Sequence, residues 1–118
     1  LMNKDEKSVI AFLSARVGSI SDNTLGGWYS YRSSKTALNQ IVKNFSIELK
    51  RTNKNAIALA LQPGTVESKF SEPFKKNVSK NKLFTPDYSV ELLSQVIEGS
   101  SANESGSLLS YDGEIIKP

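Results

Sequence analysis

The chain has 118 residues, with 15 Lys and Arg against 12 Asp and Glu (formal charge +3), and neither His nor Cys. That length holds one domain at most, since domains usually run to about 100–200 residues. Without Cys there is no disulfide framework, thiolate metal site or thiol nucleophile, and without His no Ser-His-Asp triad can form within the chain.

At 38% hydrophobic and 23% charged, the composition is that of an ordinary soluble protein. The apolar runs, such as Val9 to Leu13, fall far short of the roughly 18 residues of a membrane span. Leu1 to Lys7 is polar and lacks an apolar signal core, so a cytoplasmic protein without membrane attachment is expected. The basic residues are scattered except for Lys69, Lys75, Lys76, Lys80 and Lys82. Glu67 and Glu72 interrupt that stretch and few aromatics accompany it, which reads as a solvated loop rather than a nucleic-acid surface.

Residues 8–14, Ser-Val-Ile-Ala-Phe-Leu-Ser, form a short apolar run rich in β-formers, which suits a strand buried on both faces. Small and polar residues from Ser14 to Gly27 make a loop. A helix is expected from about Ser30 to Arg51, with Leu38, Ile41, Val42, Phe45 and Leu49 as its core-facing stripe. After a polar break at Thr52 to Asn55, residues 56–61, Ala-Ile-Ala-Leu-Ala-Leu, read as a second strand. Its small alanines predict close approach of a helix on one face. Pro63 and Gly64 end it, and a lysine-rich connection spans 65–85. Thr85 as N-cap with Pro86 in the first turn opens a second helix. Its stripe of Val90, Leu93, Val96 and Ile97 runs to Gly99. Ser107 to Tyr111 reads as a third strand and Asp112-Gly113 as a turn. The order β-α-β-α-β, with connections long enough for crossovers, predicts an α/β fold with about three strands in a parallel sheet.

Tyr31 and Lys35 stand one helical turn apart on one face. Their stripe continues through Leu38 and Val42, so the polar pair is expected at the mouth of the sheet, where open α/β sheets bind ligands. A free phenol has a pKa of about 10; a neighbouring ammonium favours the phenolate, so Tyr plus Lys is a plausible proton-transfer pair without histidine. No carboxylate cluster suggests a metal site, and none is expected. Trp28 and Tyr29 read equally as lining of a substrate pocket or as aromatics packed at the helix start.

Three stretches occur in order: Leu13-Ser-Ala-Arg-Val-Gly18 leaving a strand, Tyr31-Arg-Ser-Ser-Lys35 with Thr36-Ala-Leu-Asn39, and Pro63-Gly-Thr-Val-Glu-Ser68 closing a strand. Together they resemble the C-terminal half of the short-chain dehydrogenase/reductase family. Ser14-Ala-Arg-Val-Gly-Ser-Ile-Ser-Asp-Asn23 and Gly26-Gly-Trp-Tyr-Ser-Tyr-Arg-Ser-Ser-Lys35 look most like its C-factor-like branch. The resemblance covers essentially the whole chain, including Tyr111-Asp112-Gly113. It implies part of a Rossmann-like doubly wound sheet, with residues 1–118 as a single partial domain.

The resemblance also implies roles. Tyr31 would exchange a proton with the hydroxyl or carbonyl of a small-molecule substrate. Lys35 would lower the Tyr31 pKa and bind the nicotinamide ribose of NAD or NADP. Pro63, Gly64, Thr65 and Val66 would line the nicotinamide side, and Ser68 stands where the family usually has Thr. The loop after Ser68, with Phe70, Phe74 and the lysines, would cover the substrate. The family's active serine is replaced by Ala15, leaving Ser14 as the catalytic candidate and Ser19 as a second. No G-x-G occurs anywhere, so the pyrophosphate-binding fingerprint is absent. The chain is therefore read as a C-terminal piece that does not bind NAD(P) tightly alone.

Self-association into a homo-oligomer is expected through the first helix, where Ile47 beside Phe45 widens the stripe, or through the open edge of the first strand. The leading functional reading is an NAD(P)-dependent oxidoreductase. The alternatives are an inactive truncated fragment acting as an interaction module, and an unrelated α/β binding module, which a missing crossover between the first two strands would favour.

Overall fold

A computed structural model describes residues 2–69, 71–72 and 83–118. The substrate-covering segment expected around Phe70, Phe74, Lys75, Lys76, Lys80 and Lys82 lies outside the described residues. In chain order the elements are β1 (Ser8–Leu13), α1 (Tyr29–Thr52), β2 (Ala56–Gln62), β3 (Thr65–Val66), β4 (Leu83–Phe84), α2 (Pro86–Gly99), β5 (Leu108–Ser110) and β6 (Ile115–Ile116). One turn of 3-10 helix, Arg16–Gly18, interrupts the loop expected over 14–27.

The main sheet has the order β1-β2-β5-β6. β1 pairs parallel with β2, with Ser8 opposite Ala56 and Leu13 opposite Leu61, and β2 pairs parallel with β5. The crossover through α1 is thus present. The expected three parallel strands are there, and two additions were not foreseen. β6 returns antiparallel to β5 after the Asp112-Gly113 turn, and β3 and β4 form a separate two-stranded parallel pair. Two-residue strands are too short for periodicity to reveal.

β2 is the centre of the core and is buried from Ala56 to Leu61. Alternation along a strand sends its even and odd residues to opposite faces. Ala58 and Ala60 join Leu108 and Ile116 against Val42 of α1, with Ile10, Phe12, Leu38, Phe45 and Leu49 around them. The small alanines let α1 approach, and Val42 is completely buried. On the other face Ile57, Leu59, Leu61 and Leu109 pack against Leu93, Val96 and Ile97 of α2. A helix on each face makes the sheet doubly wound.

Three sequence expectations need correction. β1 is not buried on both faces: it is the edge strand, with Ala11 and Leu13 exposed, because α2 sits over β2 and β5 and no described strand pairs its outer side. Ile41 is 59% exposed, so the inward stripe of α1 runs through Leu38, Val42, Phe45 and Leu49 without it. Val90 likewise faces outward, and its neighbour Ser89 is the buried residue of that turn. Thr85 does cap α2, its hydroxyl accepting from Tyr88 N–H.

Candidate active site

α1 begins just past the C-terminal end of β1, so its first two turns lie beside the point where β1 leaves the sheet. Tyr31 and Lys35, one turn apart, are both half-buried there. The Lys35 ammonium lies 5.9 Å from the Tyr31 ring centroid and donates to the Leu13 carbonyl at 3.0 Å. Leu13 is in register with Leu61, and Pro63 follows two residues later. The pair and the Pro63-Gly64 bend therefore share the C-terminal end of the sheet, the end at which open α/β sheets bind ligands.

Burial pushes the Tyr31 phenol above its usual value. The sequence expectation was a phenol lowered by the neighbouring ammonium. In this structure desolvation of the phenolate is the cause that acts, and it keeps Tyr31 protonated.

The approach of this loop to α1 depends on Gly18. A Cβ there would lie 2.8 Å from the Lys35 carbonyl carbon and 2.8 Å from Asn39 Nδ2. Thr36 fastens the same contact by donating to the Gly18 carbonyl at 2.9 Å.

Ser14 continues the even-numbered face of β1 toward α1. It is buried, and its hydroxyl donates to Asn39 Oδ1 at 2.6 Å, one turn beyond Lys35. Ser19 is also buried; its hydroxyl donates to the Lys117 carbonyl and accepts from Asp22 N–H. Ser19 thus pins the loop to the C-terminal segment. Ala15, also buried, precedes the 3-10 turn. Arg16 spans outward from that turn, with Asp22 at 3.6 Å and Glu114 at 3.4 Å.

The Pro63–Ser68 segment is fixed from the α2 side. Ser89 donates to the Pro63 carbonyl at 3.0 Å. Gly64 has φ +77°, and a Cβ on it would lie 2.7 Å from the Phe84 ring and 3.2 Å from Tyr111. Phe84 packs edge-on against Tyr111 and Tyr88, with centroids 4.8 and 5.2 Å apart. Thr65 and Val66 pair with Leu83 and Phe84. Ser68 accepts from Ser71 N–H at 3.2 Å, and its own N–H donates to the Ser71 hydroxyl at 3.0 Å.

The sequence reading did not foresee the backbone before α1. Gly26, Gly27 and Trp28 all have positive φ, and Trp28 (φ 49°) is the N-cap of α1. Arg32 holds this strained turn: Nε donates to the Gly27 carbonyl at 3.1 Å, and the guanidinium lies 5.9 Å from the Trp28 ring centroid. The Gly-Gly pair was the available signal, since glycine takes left-handed conformations at little cost. Tyr29 is 85% exposed, so it does not pack on the sheet. Among the described residues, no group of three His, Cys, Asp or Glu could hold a metal ion, and no helix is long and apolar enough to cross a membrane.

No protein-family model matches the chain. It is 32% identical over 117 residues to 1-hydroxy-2-glutathionyl-2-methyl-3-butene dehydrogenase of Rhodococcus sp. strain AD45, covering 99% of this chain and 49% of that relative. It is 35% identical over 104 residues to C-signal of Myxococcus xanthus, covering 88% of this chain and 57% of the relative. Among solved structures, NADPH-bound carbonyl reductase from chicken fatty liver superimposes with a TM-score of 0.79 at 29% identity, over 95% of this chain and 43% of that one. The chain spans about half the length of the curated relatives it matches. These relatives are members of the short-chain dehydrogenase/reductase family, and the chain, with its doubly wound sheet, matches about half of each.

Proposed function

We propose that this chain supplies the catalytic half of an NAD(P)-dependent oxidoreductase that interconverts a small carbonyl compound and its alcohol. The observation that carries the reading is the half-buried Tyr31 phenol with the Lys35 ammonium beside it, at the C-terminal end of the parallel strands. Burial keeps the phenol protonated, which is the form a proton donor to a carbonyl oxygen requires. Once the proton has left, the phenolate sits next to a fixed positive charge. Lys35 thereby lowers the cost of the charged state without ionising Tyr31 in advance.

A nicotinamide cofactor fits the chemistry of the donors at this end of the sheet. Lys35 already donates to a neutral oxygen, as it would to a ribose hydroxyl, and Thr65 and Ser68 offer hydroxyls on the segment after the bend. Pro63, Gly64 and Val66 would line the nicotinamide side. When bound, the cofactor supplies or takes the hydride, while the protein orients and protonates. The pyrophosphate has no such partner, since the sequence lacks a G-x-G turn. The chain by itself is therefore expected to give no saturable NADPH binding in the micromolar range by calorimetry; micromolar binding would overturn this part of the reading.

Ser14 is the weakest of the proposed catalytic groups, since its buried hydroxyl is committed to Asn39. Together with Ala15 at the family's serine position, this favours a second reading, a remnant that associates but does not turn over. The test is NADPH-dependent reduction of a panel of aldehydes and ketones by this chain joined to a dinucleotide-binding half. Tyr31→Phe should cut turnover by about 10²–10⁴-fold, the usual contribution of a positioned acid. Turnover unchanged in Tyr31→Phe, or none in either form, would reject the catalytic reading.

A further inference from the structure

Gly26, Gly27 and Trp28 take left-handed backbone one after another, with φ of 68°, 70° and 49°. Glycine adopts that conformation freely. A bulky aromatic residue does not, and an outlier of this kind points to a function for the side chain it holds. Arg32 maintains the turn. Its Nε donates to the Gly27 carbonyl at 3.1 Å, its Nη1 donates to the Val17 carbonyl at 3.4 Å, and its guanidinium lies over the Trp28 ring at 5.9 Å. One side chain thus ties two turns of main chain around a single indole.

That indole stands beside the reacting group of the site. The Trp28 carbonyl accepts from Arg32 N–H at 2.8 Å, in the first turn of α1. Tyr31 comes three residues after Trp28, and residues so spaced are neighbours on a helix surface. A single small molecule can therefore touch both. Trp28 is 50% exposed, and Ile20 and Leu25 of the same loop are more exposed still.

Charge does not compete for this surface. From Val17 to Ser34 the charged residues are Asp22 and Arg32. Arg16 engages Asp22 at 3.6 Å, and Arg32 is turned to main-chain carbonyls. What the loop offers a ligand is neutral, apolar and aromatic, and an aromatic ring is best matched by another ring packed offset or edge-on.

We infer that Trp28 determines which carbonyl compounds this site accepts: its indole is the wall on which the ring of an aromatic ketone, or of its alcohol, packs, with the oxygen at Tyr31. The inference rests on the catalytic reading of Tyr31 and names its substrate class, aryl rather than short aliphatic compounds. Arg32 is a positioning residue that acts through Trp28.

The reporter is built in, because Trp28 is the only tryptophan of the chain. In the 118-residue chain its fluorescence should be quenched saturably by 1-phenylethanol and left unchanged by 2-butanol at the same concentrations, a readout that needs no turnover. The second measurement is NADPH-dependent reduction of acetophenone and of 2-butanone by the chain joined to a dinucleotide-binding half. Trp28→Gly, a substitution the left-handed backbone accepts, should lower kcat/KM for acetophenone about tenfold, through KM, by removing the ring contact. For 2-butanone the loss should stay below about twofold on the same ground, and Trp28→Phe should restore the preference for acetophenone. Tyr31→Phe should slow both ketones alike. Saturable quenching by 1-phenylethanol alone, with no turnover in any form, would reject the catalytic reading and uphold the wall. Quenching by both alcohols alike or by neither, or an equal loss on both ketones in Trp28→Gly, would overturn the inference.

Discussion

Removing the Ser14 hydroxyl separates a structural role from a catalytic one. In Ser14→Ala the 2.6 Å bond to Asn39 Oδ1 is lost, and that oxygen, on a half-buried side chain, is left without this donor. A net hydrogen bond contributes about 1 kcal/mol, and a buried acceptor left unsatisfied costs about 1–3 kcal/mol. The expected destabilisation is about 2 kcal/mol, or a fall in Tm of about 8 °C for a domain of this size. Urea unfolding followed by far-UV circular dichroism measures it. A double-mutant cycle with Asn39→Ala should return a coupling of about 1 kcal/mol, since contacting residues are not additive. The reasoning fails if Ser14→Ala unfolds within about 0.5 kcal/mol of wild type, the range of an uncommitted surface residue. If such a variant, as stable as wild type, also lost about 10²–10³-fold in turnover, Ser14 would be polarising substrate rather than holding Asn39.

Gly64→Ala should cost about 3 kcal/mol, because its φ of +77° strains any side chain and the new Cβ would meet the Phe84 ring at 2.7 Å. The check is a lowered urea midpoint together with an altered near-UV aromatic signal from Phe84 and Tyr111. Burial raises the Tyr31 pKa in the folded state. The unfolded chain therefore loses its phenolic proton first, at about pH 10. The stability linked to Tyr31 is complete below that pH and is lost as pH rises through the higher folded value. Urea unfolding at increasing alkaline pH should show this loss in wild type and a shallower one in Tyr31→Phe; equal slopes would rule out a buried phenol.

The sequence by itself determined the alternation of strands and helices, the break at Pro63-Gly64 and the cap at Thr85, because each follows from local periodicity or fixed backbone dihedrals. It also put Tyr31 and Lys35 on one helical face, since i and i+4 fix that spacing before any tertiary contact forms. Tertiary structure alone decided that α2 covers β2 and β5 and leaves Ala11 and Leu13 of β1 exposed. Val9 to Leu13 is as apolar as Ile57 to Leu61, and no local pattern distinguishes a strand covered on both faces from one covered on one. The short β3, β4 and β6 depend in the same way on partners distant in the chain. So does the ionisation of Tyr31: spacing showed an ammonium nearby, but the loss of water around the phenol is set by packing at the top of the sheet. The fate of Ser14 was settled there too, because only the approach of α1, permitted by Gly18, brought Asn39 within reach of its hydroxyl.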